Sequence, residues 1–404
     1  RVGDLGAEGL QFISAGDSPN GRPLVVVGNE VSGTTTLFEV QLPSELSAGQ
    51  QEIALLNFND FHGRINADSI AFGATIEKLR LENDGALLSS AGDNIGASLF
   101  ASAFWQDQPT LDFLNELGLD VTAVGNHEFD GGWADLRDRV VPASDFAQLG
   151  ANVYLKGTDT PALAESVVLN IDGVQVGYIG VVTPDTAALV SPAGIADIEF
   201  GDPVAAVNRV AEELVAADVD VIVALYHEGS PLGAAEGASL PDGVASSALF
   251  ERVVNETSAA VDVIFTAHTH REYVWDAPVP GAEGQTRPIV QTGQYAERVA
   301  EVVLTLDGGK VADYRARNVP RLSGFAADHL VAAFPALTGA AALVADTLEQ
   351  AAVEGNKRVG SVAGDITNAF AGGSYVDGVY TGGSRDDRGS ESTMGGFVAN
   401  SLRD

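Results

Sequence analysis

Short runs of apolar residues alternate with amphipathic segments over most of the chain. The run 53–58 is almost continuously apolar, which is typical of a strand that is covered on both faces. Other stretches, such as 70–81, repeat their apolar residues at helical spacing. Strands are predicted at 53–58, 86–90, 121–124, 174–182, 219–225 and 261–266, and helices at 70–81, 111–117, 204–217 and 245–254. This alternation predicts a layered α/β domain with helices on both faces.

The pattern differs at both ends of the chain. Residues 24–27 and 34–40 indicate short strands between turn-forming residues, which favours a separate N-terminal β segment. Near the other end, 299–319 predicts a hairpin, and an alanine-rich helix is predicted over 332–352. The stretch 371–396 is rich in glycine, serine and aspartate, a composition that favours a flexible linker.

The composition is strongly acidic, with 22 Lys and Arg against 56 Asp and Glu and a formal net charge of -34. This balance argues against a nucleic-acid surface and against a polybasic membrane anchor, since both need clustered positive charge. No apolar stretch approaches the ~18 residues that a membrane-spanning helix needs, so we expect no transmembrane segment. The absence of cysteine excludes disulfides and thiolate chemistry. Because the chain starts at Arg1 and Met394 is its single methionine, we expect a piece of a longer polypeptide.

The chain has six histidines, and most of them occupy equivalent places in the pattern: His62, His127, His227, His268, His270 and His329. The first five follow predicted strands within a few residues. Open α/β sheets bind ligands outside the carboxyl ends of their strands. One histidine in such a place is more often structural than a ligand, but five are hard to explain in that way. His329 belongs to no cluster and is interpreted as structural.

Two pairs of residues have a spacing that suits metal binding. Asp60 and His62 alternate after the first strand of the α/β pattern, and His268 and His270 alternate after a later strand. Alternate residues in an extended segment point to the same side, so the members of each pair can reach one ion together.

Three further residues complete a set of possible ligands. Asp93 could bridge two cations through its two oxygens, although a helix N-cap would also explain it in isolation. Asn126 offers a carbonyl oxygen and His227 another imidazole. Two carboxylates, one amide and four imidazoles are the inventory of a dinuclear site, in which ions ~3.5–4 Å apart polarise a phosphoryl group. Oxygen and nitrogen ligands without thiolate suit two divalent ions of manganese, zinc, iron or cobalt.

His127 and Asp130 indicate a different role. His127 directly follows Asn126, so its side chain would project toward a substrate rather than toward a metal ion. Asp130 lies three residues later, where it can orient the imidazole and favour its charged form. An oriented imidazolium can stabilise an oxyanion or protonate a leaving group.

These motifs resemble, in their order, those of the calcineurin-like metallophosphoesterases. The matching residues are Asp60-x-His62, Gly92-Asp93, Gly125-Asn126-His127-Glu128, His227 and His268-x-His270. The longer strings 59–63, 92–98 and 125–130 resemble the 5'-nucleotidase branch more specifically, and the resemblance runs from about Gln51 to Arg321. Ala267 and Tyr226 depart from the family pattern without removing a ligand.

The resemblance implies a layered fold with two β-sheets flanked by helices, followed by a linker helix. It implies that Asp60, His62 and His270 serve one ion, that Asn126, His227 and His268 serve the other, and that Asp93 bridges them. His127 and Asp130 would be the catalytic pair, with a metal-bound water or hydroxide as nucleophile. Asn94 is expected to contact the substrate.

The C-terminal stretch 388–396 is similar to the opening of the 5'-nucleotidase C-terminal domain, which supplies arginines for the phosphate group. Arg385 and Arg388 fall near those positions. The implied division of the chain is an N-terminal β segment at 1–48, resembling the end of a β-propeller-like module, a catalytic domain at 49–331, a linker helix at 332–357 and the beginning of the C-terminal domain at 358–404.

The leading functional hypothesis is a dinuclear metal-dependent phosphomonoesterase, specifically a 5'-nucleotidase acting on a small-molecule nucleotide. The same site could serve a 2',3'-cyclic-nucleotide phosphodiesterase or a UDP-sugar pyrophosphatase, and a non-catalytic surface scaffold is the alternative of another class. A nucleic-acid-cleaving relative conflicts with the net charge of -34. The resemblance implies a secreted, periplasmic or cell-surface location, and the oligomeric state is left open.

Overall fold

A computed structural model describes residues 7–14, 18, 24–29, 34–39, 46–47, 49–362, 364–372, 374–376, 379–381, 384–385 and 390–403. The chain divides into two compact units, residues 1–349 and 350–404. None of the helices in the described ranges combines the length and the hydropathy that a membrane crossing requires.

The strands of the first unit are β1 Ala7–Ile13, β2 Leu24–Asn29, β3 Thr34–Glu39, β4 Gln50–Phe58, β5 Leu87–Ser90, β6 Val121–Ala123, β7 Ala147–Leu149, β8 Val153–Leu155, β9 Ser166–Ile171, β10 Val174–Val182, β11 Ile198–Phe200, β12 Val221–His227, β13 Val263–Thr266, β14 Glu272–Pro278, β15 Thr286–Thr292, β16 Arg298–Asp307 and β17 Lys310–Pro320. The helices up to the boundary helix are α1 Ser69–Glu82, α2 Phe100–Ala103, α3 Gln108–Glu116, α4 Trp133–Asp135, α5 Val141–Ala143, α6 Thr186–Leu189, α7 Pro203–Ala216, α8 Leu240–Ser246, α9 Ala248–Glu256, α10 Ala327–Ala333 and α11 Thr338–Gly355. A π-helical segment, Leu136–Val140, joins α4 to α5, and short 3-10 turns lie at His127–Phe129, Ala234–Glu236 and Pro335–Leu337.

Two mixed sheets form the centre of this unit. Over the described residues, the first has the order β17-β16-β4-β5-β6-β7, with β4 to β7 parallel and β16 and β17 antiparallel. The second has the order β14-β15-β13-β12-β10-β9, with a parallel centre and antiparallel edge strands. The parallel strands matter for function because their carboxyl ends carry the loops that hold the candidate residues.

The two sheets pack face to face and are covered by helices on their outer faces. Leu55 contributes to the core between the sheets together with Phe265, whereas its neighbour Leu56 faces the helices α1 and α3. This alternation follows from the two-residue period of a strand. On the other side, α7 and α9 cover the second sheet with Val207 and Phe250. The prediction of two β-sheets flanked by helices is confirmed.

Several predicted elements have different boundaries in the structure. The helix predicted at 245–254 is two helices, because Ser247 adopts an extended conformation and its hydroxyl caps α9 by accepting from Phe250 N at 3.2 Å. The alanine-rich helix predicted over 332–352 is interrupted, since residues 332–333 end α10 and α11 begins at Thr338. Pro335 explains the interruption, since proline disfavours a helical conformation in the residue before it. The edge strands β9 and β14 were not predicted, because half-buried strands lack a continuous apolar run.

The two ends of the chain also contain strands. The strands β1, β2 and β3 form an antiparallel sheet, of which the sequence predicted the last two. In the second unit, β18 Phe370–Ala371 pairs with β21 Ser384–Arg385, and β19 Ser374–Val376 pairs with β20 Val379–Thr381. The helix α12, Thr393–Arg403, follows them. The linker expected over 371–396 therefore contains paired strands where it is described, and the proposed domain boundaries stay a prediction.

Candidate metal centre and active site

The candidate residues lie where parallel strands of both sheets end. In chain order, Asp60 and His62 follow β4, Asp93 follows β5, Asn126 and His127 follow β6, His227 is the last residue of β12, and His268 and His270 follow β13. The fold therefore brings side chains that are up to 210 positions apart in the sequence to one edge of the paired sheets.

The first cluster contains Asp60, His62 and His270, whose possible ligand atoms all lie within 4.8 Å of one another. The Nε2 atoms of the two histidines are 3.2 Å apart, and His270 Nε2 is 3.3 Å from Asp60 Oδ1. This Oδ1 atom is buried and has no hydrogen-bond partner among the described residues. A buried carboxylate oxygen without a donor is costly unless a cation serves it.

The second cluster contains Asp93, His227 and His268, again within 4.8 Å of one another. His227 Nε2 lies 3.1 Å from Asp93 Oδ2 and 3.2 Å from the side-chain oxygen of Asn126. The same Oδ2 atom of Asp93 is 3.7 Å from Nε2 of His62, a member of the first cluster. Asp93 of the second cluster is therefore also close to a ligand of the first, which is the arrangement that a bridging ligand requires.

Backbone carbonyls orient two of the imidazoles. His62 Nδ1 is 2.9 Å from the carbonyl oxygen of Gly96, and His227 Nδ1 is 2.9 Å from that of Ala91. A carbonyl accepts only, so Nδ1 donates in both cases and Nε2 is the atom that faces the cluster. Metal-ligating histidines are commonly fixed in this way.

The backbone is also unusual at these positions. Five candidate ligands have a left-handed conformation, with φ of +50° at Asp60, +50° at His62, +54° at Asp93, +70° at His268 and +58° at His270. For residues other than glycine this conformation costs about 1–3 kcal/mol each, and it persists where function needs it. The strain supports a functional role for these loops.

Close backbone packing explains two glycines next to the clusters. A Cβ atom on Gly92 would lie 2.7 Å from His227 Nδ1 and 2.8 Å from Gly125 N, and φ at Gly92 is +98°. A Cβ on Gly125 would lie 2.7 Å from His227 Cε1. Larger residues at these positions would displace His227 and the loop that carries Asp93.

The charges of the clusters shift their pKa values strongly. Burial would raise the pKa of Asp93, but the neighbouring His227 holds it below its ordinary value. In return, burial opposes the charge on His227 while Asp93 raises the pKa of this imidazole to about 10, so a proton on Nε2 binds the pair together. Burial and the charge of His227 lower the pKa of His268 to about 4. A cation bound here would displace the proton of His227.

His127 and Asp130 form a pair beside the clusters. His127 Nδ1 is 2.7 Å from Asp130 Oδ2, and His127 N donates to Asp93 Oδ1 at 2.8 Å. The hydrogen bond to Asp130 raises the pKa of His127 to about 9, so the imidazole is charged at neutral pH. The His127 ring lies 5.0 Å from that of His62 and lines a cavity of about 420 Å³. A charged donor therefore stands next to the first cluster.

Glu128 is a site residue whose role the sequence did not predict, although it stands in the string 125–130. Its buried carboxylate accepts from Asp93 N at 3.0 Å and from Asn94 N at 2.8 Å, and also from Gly125 N. Burial, aided by the charge of Asp93, raises the pKa of Glu128 to about 7. Glu128 thus holds the loop after β5 against the loop after β6 and fixes the backbone of Asp93.

The structure describes the three residues predicted to contact substrate to different extents. Asn94 is 2% exposed, and its amide group accepts from Ser90 Oγ at 2.7 Å and donates to Thr122 Oγ1 at 2.9 Å. These bonds fix the amide inside the fold, and its predicted contact with substrate stays a prediction. The backbone of Arg385 lies in β21, and Arg388 lies outside the described residues.

Comparison with known proteins identifies the family. The family model described as calcineurin-like phosphoesterase matches residues 53–272, which is more than half of the chain and includes every candidate metal ligand. The chain belongs to the calcineurin-like phosphoesterase family. The family and the class of metal-dependent phosphohydrolases that the motifs indicated are thereby confirmed.

Individual relatives agree with this assignment. The endonuclease YhcR of Bacillus subtilis is 32% identical over 292 residues, which are 65% of this chain and 23% of YhcR. A 5'-nucleotidase of Vibrio parahaemolyticus is 29% identical over 287 residues, 66% of this chain and 49% of that protein. The crystal structure of the calcineurin-like phosphoesterase YfkN from B. subtilis shares the fold, with a TM-score of 0.59 and 22% identity over 75% of this chain and 99% of that one. The chain thus spans about a quarter to a half of these curated relatives.

Proposed function

We propose that this phosphoesterase is a dinuclear metal-dependent hydrolase of small phosphoric monoesters, with 5'-nucleotidase as its activity. The observation that carries the proposal is the position of Asp93, whose Oδ2 lies 3.1 Å from His227 and 3.7 Å from His62 and so faces both clusters. The ligands would be Asp60, His62 and His270 for one ion, Asn126, His227 and His268 for the other, and Asp93 for both.

The donor set fits two divalent ions. The unpartnered Oδ1 of Asp60 provides a buried anionic oxygen, and the imidazoles of His62 and His227 present Nε2 toward the clusters. Oxygen and nitrogen donors without sulfur suit manganese, zinc, iron or cobalt. When bound, such ions polarise a phosphoryl group and activate water.

The protein's own contribution to the reaction is made by His127. Asp130 holds a proton at Nδ1 and keeps the ring charged, so the second proton is available at Nε2. In this arrangement His127 donates to a phosphoryl oxygen as negative charge develops and then protonates the leaving alkoxide. The hydrogen bond from His127 N to Asp93 Oδ1 holds this donor in a fixed position relative to the metal ligands.

The choice of substrate follows from the relatives and from the charge of the chain. The relatives include 5'-nucleotidases, which supports a nucleoside monophosphate as substrate. One relative is an endonuclease, but the net charge of -34 disfavours a long polyanion. A cyclic-nucleotide phosphodiesterase or a UDP-sugar pyrophosphatase would use the same catalytic residues. Phosphate contacts from Arg385 and Arg388 and an extracytoplasmic location stay predictions.

Two substitutions separate the proposed roles. We expect His127→Ala to keep both metal ions and to lose ~10²–10⁴-fold in turnover, as is usual when a general acid is removed. We expect Asp93→Ala to lose metal as well as turnover. The control is His329→Ala, which removes an exposed histidine in α10.

The measurements are metal content and hydrolysis of AMP, p-nitrophenyl phosphate and bis(p-nitrophenyl) phosphate with manganese. Loss of metal in His127→Ala in proportion to activity would contradict its role as a proton donor. Retention of both ions in Asp93→Ala would remove it as the bridge.

A further inference from the structure

Arg64 and Tyr295 form a stacked pair beside the first cluster. The guanidinium carbon of Arg64 lies 3.8 Å from the centroid of the Tyr295 ring. The same ring is 5.8 Å from the His62 ring and 5.7 Å from the His270 ring, with its plane steeply inclined to both. A guanidinium and two proposed metal ligands therefore pack against the same aromatic ring.

A strained turn holds Tyr295 in this place. Tyr295 and the buried Ala296 are consecutive left-handed residues, with φ of +59° and +57°. Tyr295 N donates to the carbonyl oxygen of Asp60 at 2.8 Å, so the turn is tied to the loop that carries two candidate ligands. Two consecutive residues in this conformation cost free energy, and such strain is typical of functional sites rather than of simple surface loops.

Arg64 keeps most of its donors free. Its guanidinium makes one hydrogen bond among the described residues, a long one from Nη1 to Ala97 O at 3.4 Å, and no described carboxylate pairs with it. Two other arginines differ, since Arg271 pairs with Glu236 at 2.7 Å and Arg298 with Glu272 at 2.7 Å. In a chain with a net charge of -34, an unpaired guanidinium beside the metal ligands is available to an anion.

We propose that Arg64, stacked on Tyr295, is an anion subsite that binds phosphoryl oxygens of the substrate next to the metal centre. This inference rests on the proposed function and adds a residue to it. The planar guanidinium matches two phosphoryl oxygens at once, and stacking on an aromatic face orients it in advance. The oxygens can belong to the phosphoryl group that is transferred or to a neighbouring phosphate of the same substrate.

The test compares Arg64→Gln with Lys310→Gln. Both substitutions remove one positive charge, but Lys310 is exposed at the start of β17 in a hairpin turn. Since a charge-assisted hydrogen bond is lost, we expect Arg64→Gln to weaken binding roughly 10-fold or more. If Arg64 contacts the transferred group, the change is a rise in KM for p-nitrophenyl phosphate and in Kd for inorganic phosphate; if it contacts a neighbouring phosphate, the change is a rise in Kd for ADP alone. Metal content should stay unchanged, Arg64→Lys should recover part of the affinity, and Tyr295→Leu should weaken phosphate binding in the same direction.

Two compounds, p-nitrophenyl phosphate and ADP, distinguish contact with the transferred phosphoryl group from contact with a neighbouring phosphate. An effect on p-nitrophenyl phosphate places Arg64 on the transferred group, whereas an effect confined to ADP places it on the neighbouring phosphate. The subsite is overturned if Arg64→Gln behaves like Lys310→Gln toward phosphate and both substrates, or changes the melting temperature alone. Calorimetry of phosphate binding to the metal-loaded chain needs no turnover, so it tests Arg64 even if the proposed hydrolysis is not found.

Discussion

Replacing Asp130 by asparagine should lower the pKa of His127 by more than one unit. The two side chains are 2.7 Å apart, and their hydrogen bond is the chief reason why the pKa of His127 rises from 6.5 to about 9. Asp93 and Glu128 would still favour the charged imidazole, while burial opposes it. A fall of more than one unit from about 9 would lower the charged fraction at pH 8 from ~90% to below ~50%.

The direct assay is an NMR titration of the histidine ring protons in the metal-free chain. The chain has six histidines, so the spectrum stays simple, and His127→Ala assigns the signal of interest. In metal-loaded protein, the alkaline limb of the pH profile for p-nitrophenyl phosphate should move to lower pH in Asp130→Asn. Asp138→Asn removes a nearby exposed carboxylate that pairs with Arg137, and it serves as the control.

The same pKa shift predicts how the pair affects folding. A pKa that is raised in the folded state means that the pair stabilises the fold while His127 is charged. This contribution is complete below about pH 6.5 and is lost as the pH rises through about 9. An ordinary titration of His127 near 6.5 in the unmodified chain, or an unchanged titration in Asp130→Asn, would refute the reasoning.

Two further predictions concern the support of the metal ligands. Gly92→Ala should lose bound metal and at least ~10-fold in turnover, because its Cβ would meet His227. The control Gly85→Ala, also at positive φ but with open space around its Cβ, should keep both metal and turnover. Equal metal content in the two variants would contradict this prediction. Glu128→Gln should lower the free energy of unfolding by ~1–3 kcal/mol and weaken metal binding, because an NH2 group, which cannot accept a hydrogen bond, replaces one of the two accepting oxygens. Urea unfolding and metal titration check this prediction. An unchanged free energy of unfolding together with an unchanged metal affinity would contradict the role of Glu128 in holding the loop after β5 against the loop after β6.

The sequence predicted the centre of the fold well because the signals are local. Continuous apolar runs mark central strands such as β4 and β12, and the polar residues that follow them mark the loops, as with Asp60 and His62 after β4. Once parallel strands are predicted, their carboxyl ends must meet at one edge. Asp60 follows a strand of the first sheet, whereas His227 and His270 follow strands of the second, so their assignment to one site also depended on the family resemblance.

Features that depend on distant partners were not predictable in this way. The function of Glu128 depends on the amides of Asp93 and Asn94, which lie on another loop. The hydrogen bond of Asn94 to Thr122, which follows from the pairing of neighbouring strands, was likewise not predicted. The stacking of Arg64 on a residue 231 positions away has no sequence signature at all.

The central claim is that Asp93 joins two metal sites, and metal content tests it most directly. After reconstitution with manganese, the unmodified chain should contain about two ions and hydrolyse p-nitrophenyl phosphate, and Asp93→Ala should lose both properties. An unmodified chain that binds no metal and hydrolyses neither this ester nor AMP would contradict the account and favour a non-catalytic scaffold.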